Sequence, residues 1–136
     1  MNRKLMTKIK EISDTHKVIM RGYVQLSGGV HAILFGHYCI NTLFYKDLYR
    51  VTRDVLRVNQ MANRNLRQVK KLLKKQGYRK IWTKGIFSVY GDLRPLAVAA
   101  GLGRWQNGII SNDKYGTDFL ISGIFFKGKP KNTRLL

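Results

Sequence analysis

The sequence predicts an α+β domain, an antiparallel or mixed sheet packed by one long helix and one or two shorter ones. Three observations carry this. Residues 45–76 repeat apolar side chains at spacings of three and four. Val30–Tyr38 is an apolar run with little alternation. Tyr90–Tyr115 reads as a helix that stops at glycines, a loop and a strand, with a second strand from Thr117 to Phe126.

In chain order, residues 2–14 form a short helix, with Leu5, Ile9 and Ile12 on one face and an exit at Ser13-Asp14-Thr15. Val18–Met20 and Tyr23–Leu26 read as two short strands before the Ser27-Gly28-Gly29 loop. Val30–Tyr38 is a strand covered on both faces, and Cys39–Phe44 is a connection. In the long helix Leu48, Val51, Val55, Val58, Ala62, Leu66, Val69 and Leu73 form one stripe. Asp47 suits its first turn, Lys70, Lys71, Lys74 and Lys75 its last turns, and Gly77 its C-terminal stop. At roughly 48 Å such a helix is long for one domain, so a break near Asn59–Asn63 is expected.

Tyr78–Thr83 is a strand and Lys84-Gly85 a turn; residues 86–90 show no clear preference. Asp92 is placed to cap a helix over Leu93–Ala100, with Pro95 in its first turn and Gly101 at its end. Gly108–Ser111 and Thr117–Phe126 are expected to pair as an antiparallel hairpin around Asn112–Gly116. Residues 1–136 form a single domain, with 127–136 a basic, flexible tail.

The charge is the outlier. Lys and Arg number 26 against 7 Asp and Glu, a formal +19. Self-repulsion of that size destabilises a compact state unless a polyanion offsets it. Lys46, Arg50, Arg53, Arg57, Arg64, Arg67, Lys71 and Lys74 recur on the long helix opposite its apolar stripe and could track a phosphate backbone, with Trp82 and Trp105 available for stacking. A solvated helix face is the bland alternative. No run is long and apolar enough for a membrane span, and no signal core follows the basic N-terminus. With a lone cysteine, Cys39, these features predict a cytoplasmic protein.

Catalytic residues do not emerge. No nucleophile elbow is present, and seven acids are too few and too scattered for a carboxylate pair. His31 and His37 share a strand face with Cys39 nearby, but no carboxylate stands beside them, so buried hydrogen-bonded histidines are expected and no metal site. Gly101-Leu-Gly103 follows a helix rather than opening one, so it fails the dinucleotide fingerprint and offers close backbone approach instead.

Residues 90–125 resemble the epoxyqueuosine reductase family and its iron–sulfur relatives. The carrying segments are Asp92-Leu-Arg-Pro-Leu-Ala-Val-Ala-Ala-Gly-Leu-Gly103, Arg104-Trp105, Asn107-Gly108-Ile109-Ile110 and Tyr115-Gly116. Upstream, the long helix with Asn59 in its middle and Gly77-Tyr78 at its end is similar too, so the resemblance covers about residues 30–126. It implies the family's cobalamin domain, with Gly101, Gly103, Trp105, Asn107 and Tyr115 facing the corrinoid. It also implies a ferredoxin-like partner carrying the iron–sulfur clusters and a tRNA substrate. One cysteine cannot hold a cluster, which takes about four. The family's acid position falls on Phe87, and the loop after Gly103 is short, with Gln106 near a family glycine. The resemblance therefore implies a truncated or single-domain, corrinoid-binding redox component without its own catalytic acid. The alternative is a basic RNA-binding protein that keeps the fold without the cofactor.

Overall fold

A computed structural model describes residues 3–39, 48–86 and 93–128. The order is α1 (Arg3–Thr15), β1 (Val18–Gln25), a short 3-10 turn (Ser27–Gly29), β2 (Val30–Tyr38), α2 (Leu48–Lys75), β3 (Lys80–Lys84), α3 (Arg94–Ala99), β4 (Arg104–Gln106), β5 (Ile109–Ser111) and β6 (Phe119–Lys127). The four-stranded sheet runs β1-β2-β6-β3 and is antiparallel at every pairing; β4 and β5 form a separate two-stranded ribbon. The α+β architecture with one long helix is as the sequence predicts.

β2 explains the layering. Its alternate residues serve two cores, because successive side chains leave a strand on opposite faces. Ile33 and Phe35 join Leu5, Ile9, Leu66, Val69, Leu73 and Phe126 under α1 and α2. Ala32 and Leu34 join Leu93, Ala97, Leu102, Ile110, Phe119 and Phe125 on the α3 side. The unalternating apolar run is the signature of such a doubly covered strand.

Several expectations need correction. β1 is one strand, not two: it continues through Arg21 and Gly22, with a register irregularity between Val18 and Met20. α2 runs unbroken. Asn59, Gln60 and Asn63 lie on its outer or partly exposed side, while Ala62 is fully buried in the apolar stripe, so nothing there interrupts the ladder. α3 begins at Arg94 with Leu93 as its cap residue, and Leu93 supplies no side-chain cap. β6 does not pair with β5. It lies between β2 and β3, because its residues are buried on both faces, while the Asn107-Gly108 turn folds the three-residue β5 back onto β4. Lys127 is the last residue of β6 rather than part of a tail. Asp92, Phe87, Asp47, Lys46, the connection at 40–44 and the tail from residue 129 onward lie outside the described residues, as do the side chains of Leu48, Arg50 and Val51.

Two of the three α-helix ends that feed a strand use the same device. Gly77 (φ 97°) follows α2 and Gly101 (φ 87°) follows α3. After α2, the Gly77 amide donates to Lys74 and the Tyr78 amide to Leu73; after α3, the Gly101 amide donates to Val98 and the Leu102 amide to Ala97. This left-handed glycine cap satisfies orphan carbonyls and turns the next side chain inward. Tyr78 and Leu102 are accordingly buried, one in each core.

Candidate functional site

On the α3 side, the resemblance-derived residues gather on one small unit. Gly101 caps α3, Gly103 leads into β4, Trp105 sits on β4, and Asn107-Gly108 forms the ribbon's turn, both with left-handed φ (52° and 76°). Asn-Gly is the pair that such a two-residue turn favours. Local backbone requirements account for three of these residues. A Cβ on Gly103 would lie 2.6 Å from the Ser111 carbonyl oxygen. Gly101 and Asn107 supply the positive φ their turns need.

What the unit leaves facing outward is Trp105, 46% exposed, with Asn107 and Ile109. The Arg94 guanidinium stands over the Trp105 ring at 5.6 Å and donates to the Gly108 carbonyl at 3.4 Å, which ties the start of α3 to the ribbon's tip. Tyr115 is half-buried against the α3-side core. Asn112, read from sequence only as a turn residue, is the clamp. Its Nδ2 donates to the Leu102 carbonyl at 2.8 Å, and its Oδ1 accepts from the Lys114 and Tyr115 amides. The backbone around Gly101 stands open, since a Cβ there would meet nothing within 4 Å.

The basic stripe lies across the sheet on α2. Arg53, Arg57, Arg64, Arg67, Lys71 and Lys74 are all exposed. Asp54 accepts from Arg57 at 3.3 Å and stands 3.7 Å from Arg53. From Arg64 onward none of the stripe's cations has an ion-pair partner among the described residues. Exposed pairs of this kind contribute little to stability, so the stripe is available for binding.

The histidines share a face as expected but do not converge. His31 Nδ1 is 2.5 Å from the Tyr23 hydroxyl, and its ring stacks on Tyr23 and Phe126. His37 is buried with Nε2 2.7 Å from Ser122 Oγ, and burial lowers its pKa to about 4. Cys39 is buried; desolvation, with Asp54 and Asp118 nearby, pushes its thiol upward against the opposing pull of Arg57. A thiol so placed stays protonated and is a poor nucleophile. Among the described residues no three His, Cys, Asp or Glu side chains come together as metal ligands, and no described helix is long and apolar enough to cross a membrane.

Two cavities escaped the sequence reading, because each joins elements distant in the chain. One of 380 Å³ is lined by Lys17, Ile19, His37, Tyr38, Arg57, Val58 and Met61, where β1 begins and β2 ends beside α2. The other, of 410 Å³, lies between α2 and β3 and is lined by Asn63, Leu66, Arg67, Lys70 and Thr83. Of the latter, the sequence marks Arg67 as a stripe cation, Leu66 as part of the apolar stripe and Lys70 as a cation near the helix end, but not their meeting with Thr83. Lys70 lies off the stripe toward the core side, and Thr83 comes from another element.

No family model and no curated protein matches the chain. Among solved structures it is similar to a reductive dehalogenase described in connection with B12-dependent dehalogenation, at a TM-score of 0.59 and 15% identity. The match covers 90% of this chain and 20% of the dehalogenase, so the chain spans about a fifth of that protein. At that identity the likeness is one of fold: the domain is built like a segment of a B12-dependent reductase. The narrower resemblance to epoxyqueuosine reductases rests on the sequence segments alone.

Proposed function

We propose that this chain is a corrinoid-binding redox component, a single-domain relative of the epoxyqueuosine reductase cobalamin domain. The observation that carries the reading is the fold likeness, over 90% of the chain, to a B12-dependent reductase. The α3 ribbon fits the group in three respects. Trp105 offers an exposed aromatic face held by Arg94. The open backbone at Gly101 admits a bulky ligand. Asn107 brings an exposed amide to the ribbon's tip. Gly103 serves by letting β4 lie close to Ser111, and Tyr115 by anchoring the following turn on the core.

Bound cobalamin would supply a cobalt centre for reductive chemistry. The protein's contribution is shape and hydrogen bonding; none of these five residues is a carboxylate, histidine, lysine or cysteine. Electrons would come from a ferredoxin-like unit outside these residues, since a cluster takes about four cysteines and within them Cys39 is buried and alone. The test is a titration with cobalamin followed by the visible spectrum and by co-elution on gel filtration. A saturable spectral change with co-elution is expected; free elution of the cofactor with an unchanged spectrum removes the reading.

A second reading is favoured by the exposed α2 stripe: binding of RNA, a tRNA in the context of the resemblance, through Arg53, Arg57, Arg64, Arg67, Lys71 and Lys74, with Arg50 earlier on the same helix. Such binding weakens steeply with salt, with a log–log slope of about −0.7 per phosphate contact on single strands. A flat salt response contradicts it.

A further inference from the structure

We propose that the cavity between α2 and β3 is a phosphoryl-binding pocket for a small phosphorylated ligand. It is independent of the corrinoid reading and lies across the sheet from the ribbon. The lining residues argue for it. Asn63, Leu66, Arg67 and Lys70 fall on one side of α2, and Thr83 faces them from β3. Its pairing places Thr83 opposite Ile124, on the same sheet face as the core under α2.

The polar members make a donor set for a tetrahedral oxyanion: a guanidinium, an ammonium, a carboxamide and a hydroxyl. Arg67 brings a planar fork that matches phosphate oxygens, and Lys70 a compact charge. Among the described residues no carboxylate lines the cavity and neither cation has an ion-pair partner. Leu66, buried beneath, gives an apolar floor that strengthens the charge interactions above it. Exposed Arg64, Lys71 and Lys74 on the same helix add positive field without entering the cavity.

The chain leaving β3 also bears on the pocket. A Cβ on Gly85 would stand 3.3 Å from Asn63 Oδ1, so the backbone passes close to the Asn63 amide at the end of the strand. At 410 Å³ the cavity has room for a phosphoryl group and a small body attached to it. Diffuse attraction by the stripe would need no such convergence of two elements.

The test uses the whole chain, labelled with nitrogen-15, titrated with inorganic phosphate and with adenosine monophosphate while sodium chloride holds ionic strength constant. Saturable shifts are expected at the Asn63 side-chain amide and at the Thr83 and Gly85 backbone amides. Arg67→Gln and Lys70→Gln should each weaken binding about tenfold, the ordinary worth of a charged hydrogen bond. Arg64→Gln, on the neighbouring surface, should change it by less than about twofold. Thr83→Val, which keeps a strand-favouring side chain, tests the opposite wall. Tighter binding of the nucleotide identifies a seated body, and equal binding identifies the phosphoryl group alone; either supports the pocket. Chloride moving the same resonances, shifts that do not saturate, or equal losses from Arg64→Gln and Lys70→Gln would overturn it.

Discussion

The two faces of the sheet are built on different principles. Under α1 and α2, apolar stripes on long elements meet, and polarity is left over. Ser13 Oγ, His16 Nε2 and both amide atoms of Asn65 are buried without a hydrogen-bond partner among the described residues. On the α3 side the elements are short, and close backbone approach fixes them. Gly22 of β1 lies directly under the Ala100 carbonyl, and Gly103 under that of Ser111. One face is specified by periodicity and tolerates loose ends. The other is specified by where side chains are missing.

That contrast is sharpest at Gly22. A Cβ there would meet the Ala100 carbonyl oxygen, Leu102 Cδ1 at 2.6 Å and Ala100 Cβ at 2.9 Å. Gly22→Ala is expected to cost about 3 kcal/mol or more in urea unfolding, because rigid backbone must move. Gly36→Ala presses mainly on the Met20 side chain, with Cε at 2.7 Å. Methionine re-packs easily, so about 1 kcal/mol is expected there. Equal losses would erase the distinction between backbone and side-chain contacts, since both glycines press on the α3-side core.

His37 supplies the next largest effect, on the α2 side. Above pH 6.5 both folded and unfolded states keep it neutral. Below that value the unfolded chain takes up a proton that the buried ring refuses until about pH 4. Stability therefore falls across this window and then levels, by up to about 3 kcal/mol from this group. Urea midpoints measured from neutral to acid pH should show the decline, and His37→Asn should flatten it. A His37→Asn profile that follows the unaltered chain assigns the decline to other groups.

The long elements were legible in sequence for a physical reason. α2 repeats its stripe over seven turns, and β2 carries enough consecutive apolar residues to declare two covered faces. The β6 pairing was misread because hairpin logic favours the nearest neighbour in sequence, whereas burial on both faces sent β6 to the centre of the sheet. The ribbon was half legible: the strand expected over Gly108–Ser111 is β5, but Arg104–Gln106 is too short and too exposed to declare itself a strand, and the turn at Asn107-Gly108 went unread. At the candidate site, the glycines were legible as punctuation. The Asn112 clamp, the Arg94–Trp105 contact and the His37–Ser122 pair join residues whose meeting no local pattern encodes.

Two smaller effects probe the same contrast. Asn65→Leu removes an orphaned buried amide from the α2 side and should raise stability by about 1–2 kcal/mol in thermal or urea unfolding. A loss of that size would instead reveal a partner for Asn65 in solution, such as an ordered water. On the α3 side, Gly101→Ala must hold φ near 87°, which costs an L-residue about 1 kcal/mol. Gly101→Asn, better suited to that conformation, should recover part of the loss.

We propose that the ribbon face, not the α2 face, handles a corrinoid. A nitrogen-15 correlation spectrum of the whole chain titrated with cobalamin tests this most directly. Saturable shifts are expected at the Trp105 indole, Gly101, Asn107 and Tyr115, with Arg64, Lys71 and Lys74 unmoved. No saturable shift, or shifts confined to α2, would contradict it.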